Sequence, residues 1–284
     1  MPPIVPVPVD PVREAEASRQ AAKRQALREL EALEVQQLHL SRPVLFVPGW
    51  AGEEGMCWMA PYDGLLTGHA PAKAWVERIV SQADRRQFVR FLTFSLAESK
   101  ASESFLEFAT LLKAKIRAAV PSGSPIDLVC HSMGSLDAIA AITQPPDPLD
   151  GVTNLVAVAS PLQGIVYGKL VKPIDELLPF LRWEPHHYVQ VANMNAEAPA
   201  MRVITTLEAR RRLLARIGAL HEIEGTQDMV VMRSARLRRD GLSPTALGKI
   251  THRAVDGAMH TGPAGVTQDP RTVWQILRIL GGMS

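Results

Sequence analysis

The chain predicts an α/β protein with a mostly parallel, doubly wound sheet, and three observations carry that prediction. From residue 43 onward, short apolar runs rich in β-branched residues alternate with longer helix-forming segments. Those runs lack the polar alternation of a strand with one wet face, so both faces of their sheet are covered. With 284 residues, 46% of them hydrophobic, the chain can bury one sizeable core.

The first elements stand outside that alternation. Residues 1–11 hold Pro2, Pro3, Pro6, Pro8 and Pro11 and read as an extended arm. Residues 12–40 contain neither Gly nor Pro and are rich in Ala, Glu, Arg, Gln and Leu, which predicts a helix. Leu27, Leu30, Leu33 and Leu38 form a loose apolar stripe along it. Docking on the domain surface explains the stripe most simply, and a homo-oligomer contact through this helix is the sharper alternative. The chain thus divides into an arm and helix over 1–42 and an α/β domain over 43–284.

Within that domain, strands are expected at Val44–Val47, 90–94, 126–130, 155–159, about 220–223 and Ile250–Val255. Helices are expected at 72–83, 103–120, Met133–Thr143, 199–217 and Pro270–Leu280. Residues 163–199 break the alternation. Ile174, Leu177, Leu178, Phe180, Leu181 and Trp183 crowd together there, with Pro173 and Pro179 placed to open and end a short helix. The segment reads either as core beneath a long loop or as an apolar cap-like insertion over a greasy pocket.

Composition removes several functional classes. A net charge of +2 supplies no field that would draw nucleic acid. Basic clusters at Arg210, Arg211, Arg212 and Arg216, and at Arg236, Arg238 and Arg239, read as solvated faces. Cys57 and Cys130 alone make no disulfide framework. The N-terminus lacks the basic and unbroken apolar regions of a secretory signal, and no run is long enough for a transmembrane segment. The expectation is a soluble cytoplasmic protein. No phosphate loop, H-E-x-x-H or paired C-x-x-C occurs, so neither a cofactor nor a metal is expected.

Chemistry concentrates at Cys130-His131-Ser132-Met133-Gly134, where an apolar strand meets a helix. A serine held on a sharp strand-to-helix turn needs small residues two positions to either side. Gly134 meets that need, and Cys130 meets it approximately. The plainer reading of Ser132 is a helix N-cap.

The stretch C-H-S-M-G-S resembles the Gly/Ala-His-Ser-Met-Gly elbow of the α/β-hydrolase superfamily. Three further stretches follow the same resemblance. P-V-L-F-V-P-G-W-A-G (43–52) is similar to the first central strand and oxyanion loop of bacterial lipases, with Pro48 in place of the usual histidine. N-L-V-A-V-A-S-P-L-Q-G (154–164) is similar to the strand after the elbow helix, and G-T-Q-D-M-V-V (225–231) to the loop that bears the acid. With a C-terminal histidine, the likeness covers residues 43–280 and is strongest to small bacterial lipases and esterases.

The resemblance implies an α/β-hydrolase fold and a serine hydrolase that cleaves carboxylic esters through an acyl-enzyme. Ser132 would be the nucleophile. His260, on the loop A-V-D-G-A-M-H-T-G-P after the last strand, would be the base, in the chain order Ser, acid, His. His252 is the main rival but lies within the strand pattern. His131 should turn away from Ser132, while His186 and His187 fall in the insertion. Asp228 would orient the base, with Asp256 as the alternate; Asp127 and Asp137 read as strand-edge and helix-surface residues. The oxyanion would be held by the backbone amides of Met133 and Trp50. The implied substrate is a small-molecule ester or lipid. A thioesterase or lipid deacylase would use the same groups, whereas a non-catalytic binding protein on this scaffold would lack a member of the triad.

Overall fold

The computed structural model describes residues 10–49, 58, 72–102, 104–165, 185–228, 230–231, 236–260 and 265–283. The apolar runs become six strands: β1 Val44–Val47, β2 Val89–Phe91, β3 Ile126–His131, β4 Val152–Val158, β5 Ala219–Gly225 and β6 Ile250–Val255. They form one parallel sheet in the order β2-β1-β3-β4-β5-β6. The principal helices are α1 Pro11–Gln36, α2 Ala72–Ile79, α3 Phe105–Ala119, α4 Met133–Thr143, α5 Pro185–Asn193, α6 Leu207–Arg216 and α7 Pro270–Leu280. The expected apolar cluster at 174–183 lies outside the described residues.

Strand periodicity explains why the sheet is covered twice. Successive side chains face opposite ways, so Leu45, Val47, Leu128 and Cys130 share one apolar layer with α3, α4 and α6. Val44, Phe46, Val129 and Val156 enter the other layer with α1, α2 and α7. The largely apolar character of β1, β3 and β4 follows from that geometry.

The stripe on α1 is used within the chain. Leu30, Leu33 and Leu38 are buried in the second layer, and Leu27 packs against it. Asp10 caps this helix by accepting from the Val12 amide (3.0 Å), and Pro11 occupies its first position.

Several expected elements differ in detail. The second strand ends at Phe91 rather than at 94. The helix expected at 72–83 stops at Ile79, and Ser81 caps a separate helix Gln82–Phe88. The 199–217 segment is a 3-10 turn, a single turn Arg202–Thr205 and then α6, because the Thr206 side chain caps a fresh start by accepting from Ala209. Asp127 is no strand-edge residue: it is buried and takes hydrogen bonds from Arg42 Nε (2.8 Å) and from the Asn154 amide and side chain. Arg210 is buried too, donating to the Arg238 and Asp240 carbonyls, and Arg212, Arg216, Arg236 and Arg239 pair with Glu208, Asp150, Glu224 and Glu222. Arg210 is thus built into the fold, whereas the other four are part of a solvated, ion-paired surface as expected.

Asp137 is the clearest departure. It sits inside α4, every residue of which is buried, and its Oδ1 finds no hydrogen-bond partner among the described residues. Burial pushes its carboxyl well above the ordinary carboxylate range. The folded protein therefore keeps a proton there that the unfolded chain releases above about pH 4, so stability falls as pH rises from that point. Asp137→Asn removes this dependence. Urea titrations should show a gain of about 1–2 kcal/mol near neutral pH that fades towards about pH 4. An equal change at both pH values would contradict the reading.

Candidate active site

Chain order and strand order diverge between β1 and β3. From β1 the chain moves outward to β2, and from β3 it proceeds the other way to β4. Beyond the carboxyl ends of two such strands a parallel sheet leaves a crevice. The loop after β1 and the turn after β3 both open there.

At that turn Ser132 has φ 50° and ψ −127°, a left-handed backbone that a residue with a side chain adopts under strain. The turn is held because the Ser132 amide donates to the Val158 carbonyl (2.9 Å) and the backbone of α4 passes tightly beneath Pro48. A Cβ on Gly134 would stand 2.2 Å from the Pro48 carbonyl oxygen, so only glycine fits. Cys130, at the position where glycine is usual, is tolerated because its side chain enters the α3–α4 core layer. Burial there raises its thiol pKa well above the usual range and leaves it unreactive. The N-cap reading fails, since the Ser132 side chain makes no capping hydrogen bond.

The hydroxyl instead faces an imidazole. His260 Nε2 lies 2.9 Å from Ser132 Oγ, and His260 Nδ1 lies 2.8 Å from Asp228 Oδ2. The carboxylate can only accept, so Nδ1 carries the hydrogen and Nε2 is free to accept from the serine. Asp228 is itself fixed: its Oδ1 accepts from the Val230 and Val231 amides, each at 2.9 Å. All three side chains are nearly enclosed.

The loops bearing Asp228 and His260 are locked together. Gly225 approaches Ala258 so closely that a Cβ would lie 2.4 Å from its carbonyl oxygen, and the Gln227 amide donates to that same oxygen (3.0 Å). Asp256 belongs to this lock. It accepts from Thr226 Oγ1 (2.9 Å) and from Arg19 Nε of α1 (2.7 Å). Its pKa is lowered by the Arg19 and Thr226 hydrogen bonds.

The rival histidine, His252, lies on β6 with Nε2 3.1 Å from a Glu224 carboxylate oxygen. The side chains of His186 and His187 lie outside the described residues, as does Trp50, the residue expected to supply an oxyanion amide. Met133 opens α4, and its amide is among the first-turn donors that a helix leaves without an internal acceptor. Sequence reasoning undervalued His131, whose buried ring packs against His260 with 5.0 Å between ring centroids. Among the described residues, no cluster of three or more His, Cys, Asp or Glu could hold a metal ion, and no helix is long and apolar enough to cross a membrane.

Solved structures share this architecture. Lipase B of Aspergillus fumigatus matches with a TM-score of 0.54 at 16% identity, over 82% of this chain and 50% of the lipase. A metagenomic carboxyl esterase matches with a TM-score of 0.53 at 16% identity, over 84% and 75% of the two chains. An esterase from Rhodococcus matches with a TM-score of 0.50 at 17% identity, over 86% and 91%. This chain thus spans half the length of the fungal lipase. Neither protein-family models nor curated proteins gave a match. At these identities the likeness defines the fold, and the fold is that of the α/β-hydrolases.

Proposed function

We propose that the protein hydrolyses carboxylic esters through an acyl-enzyme intermediate, with Ser132 as nucleophile, His260 as general base and acid, and Asp228 as the group that orients His260. The observation that carries this reading is the continuous hydrogen-bonded chain from Asp228 through His260 to Ser132. Ser132 Oγ attacks the ester carbonyl as its proton passes to His260 Nε2, and the imidazolium is stabilised by Asp228. The same proton is then delivered to the departing alkoxide. A water attacks the acyl-serine in the second half, giving its proton to His260, which returns it to Ser132. The amides of Met133 and Trp50 are assigned to the oxyanion in both halves.

The substrate class assigned is an ester or lipid with an apolar acyl chain. Met259 precedes His260 and Val230 lies two residues beyond Asp228, and both are apolar and exposed, at 42% and 43%. The similar structures, a lipase and two esterases, support the same class.

A panel of p-nitrophenyl esters of graded acyl length, with thioesters of the same acids alongside, tests the proposal. The expected result is turnover of the oxygen esters that rises from acetate to medium-chain acyl groups. Hydrolysis no faster than that of Ser132→Ala across the whole panel would remove the proposal. Faster cleavage of thioesters would move it to the thioesterase class.

A further inference from the structure

His260 lies on a loop rather than on a strand or helix, so something must fix its main chain for its ring to reach Ser132. Resting on the reading of His260 as the base, we infer that His131 is a positioning residue for His260, anchoring its backbone by a hydrogen bond and supporting its ring by a tilted ring contact. His131 is the last residue of β3, a strand paired on both sides within the sheet, and it is 3% exposed. Its Nε2 lies 3.3 Å from the His260 carbonyl oxygen. That oxygen can only accept, so Nε2 of His131 carries the hydrogen. The two rings lie 5.0 Å apart at 38°, and on its other side His131 meets Trp58 edge-on at 6.1 Å.

The arrangement requires a neutral His131, because a second positive charge would oppose protonation of His260. Burial, with the neighbouring His260, pulls the His131 pKa down to about 3. Among the described residues Asp228 acts on it in the opposite sense, with a smaller influence. Its Nδ1 is therefore a bare acceptor, and it has no partner among the described residues. Gly49 makes room for this ring: a Cβ there would stand 3.0 Å from His131 Nδ1 and 2.9 Å from Ser132 Cβ. One glycine thus admits both the nucleophile and the ring that steadies its base.

The test compares His131→Phe, which keeps a ring but loses the donor, with His131→Gln, which keeps an N–H at similar reach. On one short ester, His131→Phe should lower kcat by about ten- to a hundred-fold, as expected when a catalytic group shifts by about 1 Å, while KM stays within about twofold. His131→Gln should recover kcat to within about threefold of the parent. A Phe variant within twofold of the parent, a loss carried by KM, or a Gln variant as slow as the Phe variant each overturns the inference. Fluorophosphonate labelling of the parent separates the two levels: an unlabelled parent indicts the serine-hydrolase reading itself, whereas a labelled parent with an unaffected Phe variant overturns only the role of His131. Should the Phe variant not fold, nitrogen NMR shifts of His131 in the unaltered protein decide. A neutral ring with hydrogen on Nε2 from about pH 5 to 8 sustains the role. A ring that titrates in that range, or carries hydrogen on Nδ1, overturns it.

Discussion

Ser132→Ala is expected to lose about a million-fold in kcat for ester hydrolysis and still to unfold cooperatively. The chemical effect is large because no other hydroxyl is hydrogen-bonded to His260 Nε2 among the described residues. The effect on stability is small because the variant removes one hydrogen bond, worth about 1 kcal/mol. It leaves intact the Ser132 amide bond to Val158 and the glycine contact beneath Pro48. His260→Ala should fall nearly as far, and the double variant hardly further, since nucleophile and base act as a unit. Initial rates on one activated ester, with a urea titration of each variant, check both halves. Turnover near the parent's in either single variant would end the assignment.

Asp228→Asn is expected to lower kcat/KM by about ten-thousand-fold, for a reason the geometry makes specific. Asp228 Oδ1 accepts from the Val230 and Val231 amides, so the oxygen of an asparagine is held at that end. Its NH2 then faces His260 Nδ1 and donates to it. That forces the imidazole hydrogen onto Nε2, the nitrogen that must accept from Ser132, and the base is disabled without moving. Asp256→Asn should stay within about threefold of the parent, because Asp256 is engaged by Arg19 and Thr226 rather than by the imidazole. Kinetics of both single variants and the double on one short ester discriminate. The reverse ranking would transfer the acid's role to Asp256.

How far the sequence could be read depended on the range of the interaction that decides each feature. Local signals carried well. Apolar runs bounded by turn residues place β1 and β6 with the observed limits, and α4 and α7 begin and end where periodicity and Pro270 indicate. The strand–turn–helix context singled out Ser132, and loop motifs by resemblance singled out Asp228 and His260, which the fold brings within hydrogen-bond distance. Features set by long-range packing were not legible. Asp137 and Arg210 read as surface residues because nothing local reveals that α4 is enclosed on all sides or that the 236–241 segment closes over α6. His131 was set aside because its partner, the His260 carbonyl, lies 129 residues away. The sequence favours Asp228 through its loop motif and keeps Asp256 as the alternate because it lies only four residues before His260. Arg19, contributed by a helix outside the resemblance, is what draws Asp256 away from it.

The central claim is that Ser132 is an activated nucleophile, and covalent labelling tests it most directly. The protein is treated with a fluorophosphonate, and intact mass is followed by peptide mapping. The account predicts a single adduct on Ser132, absent from Ser132→Ala and strongly slowed in His260→Ala. An unlabelled protein, or an adduct on any serine other than Ser132, would contradict it.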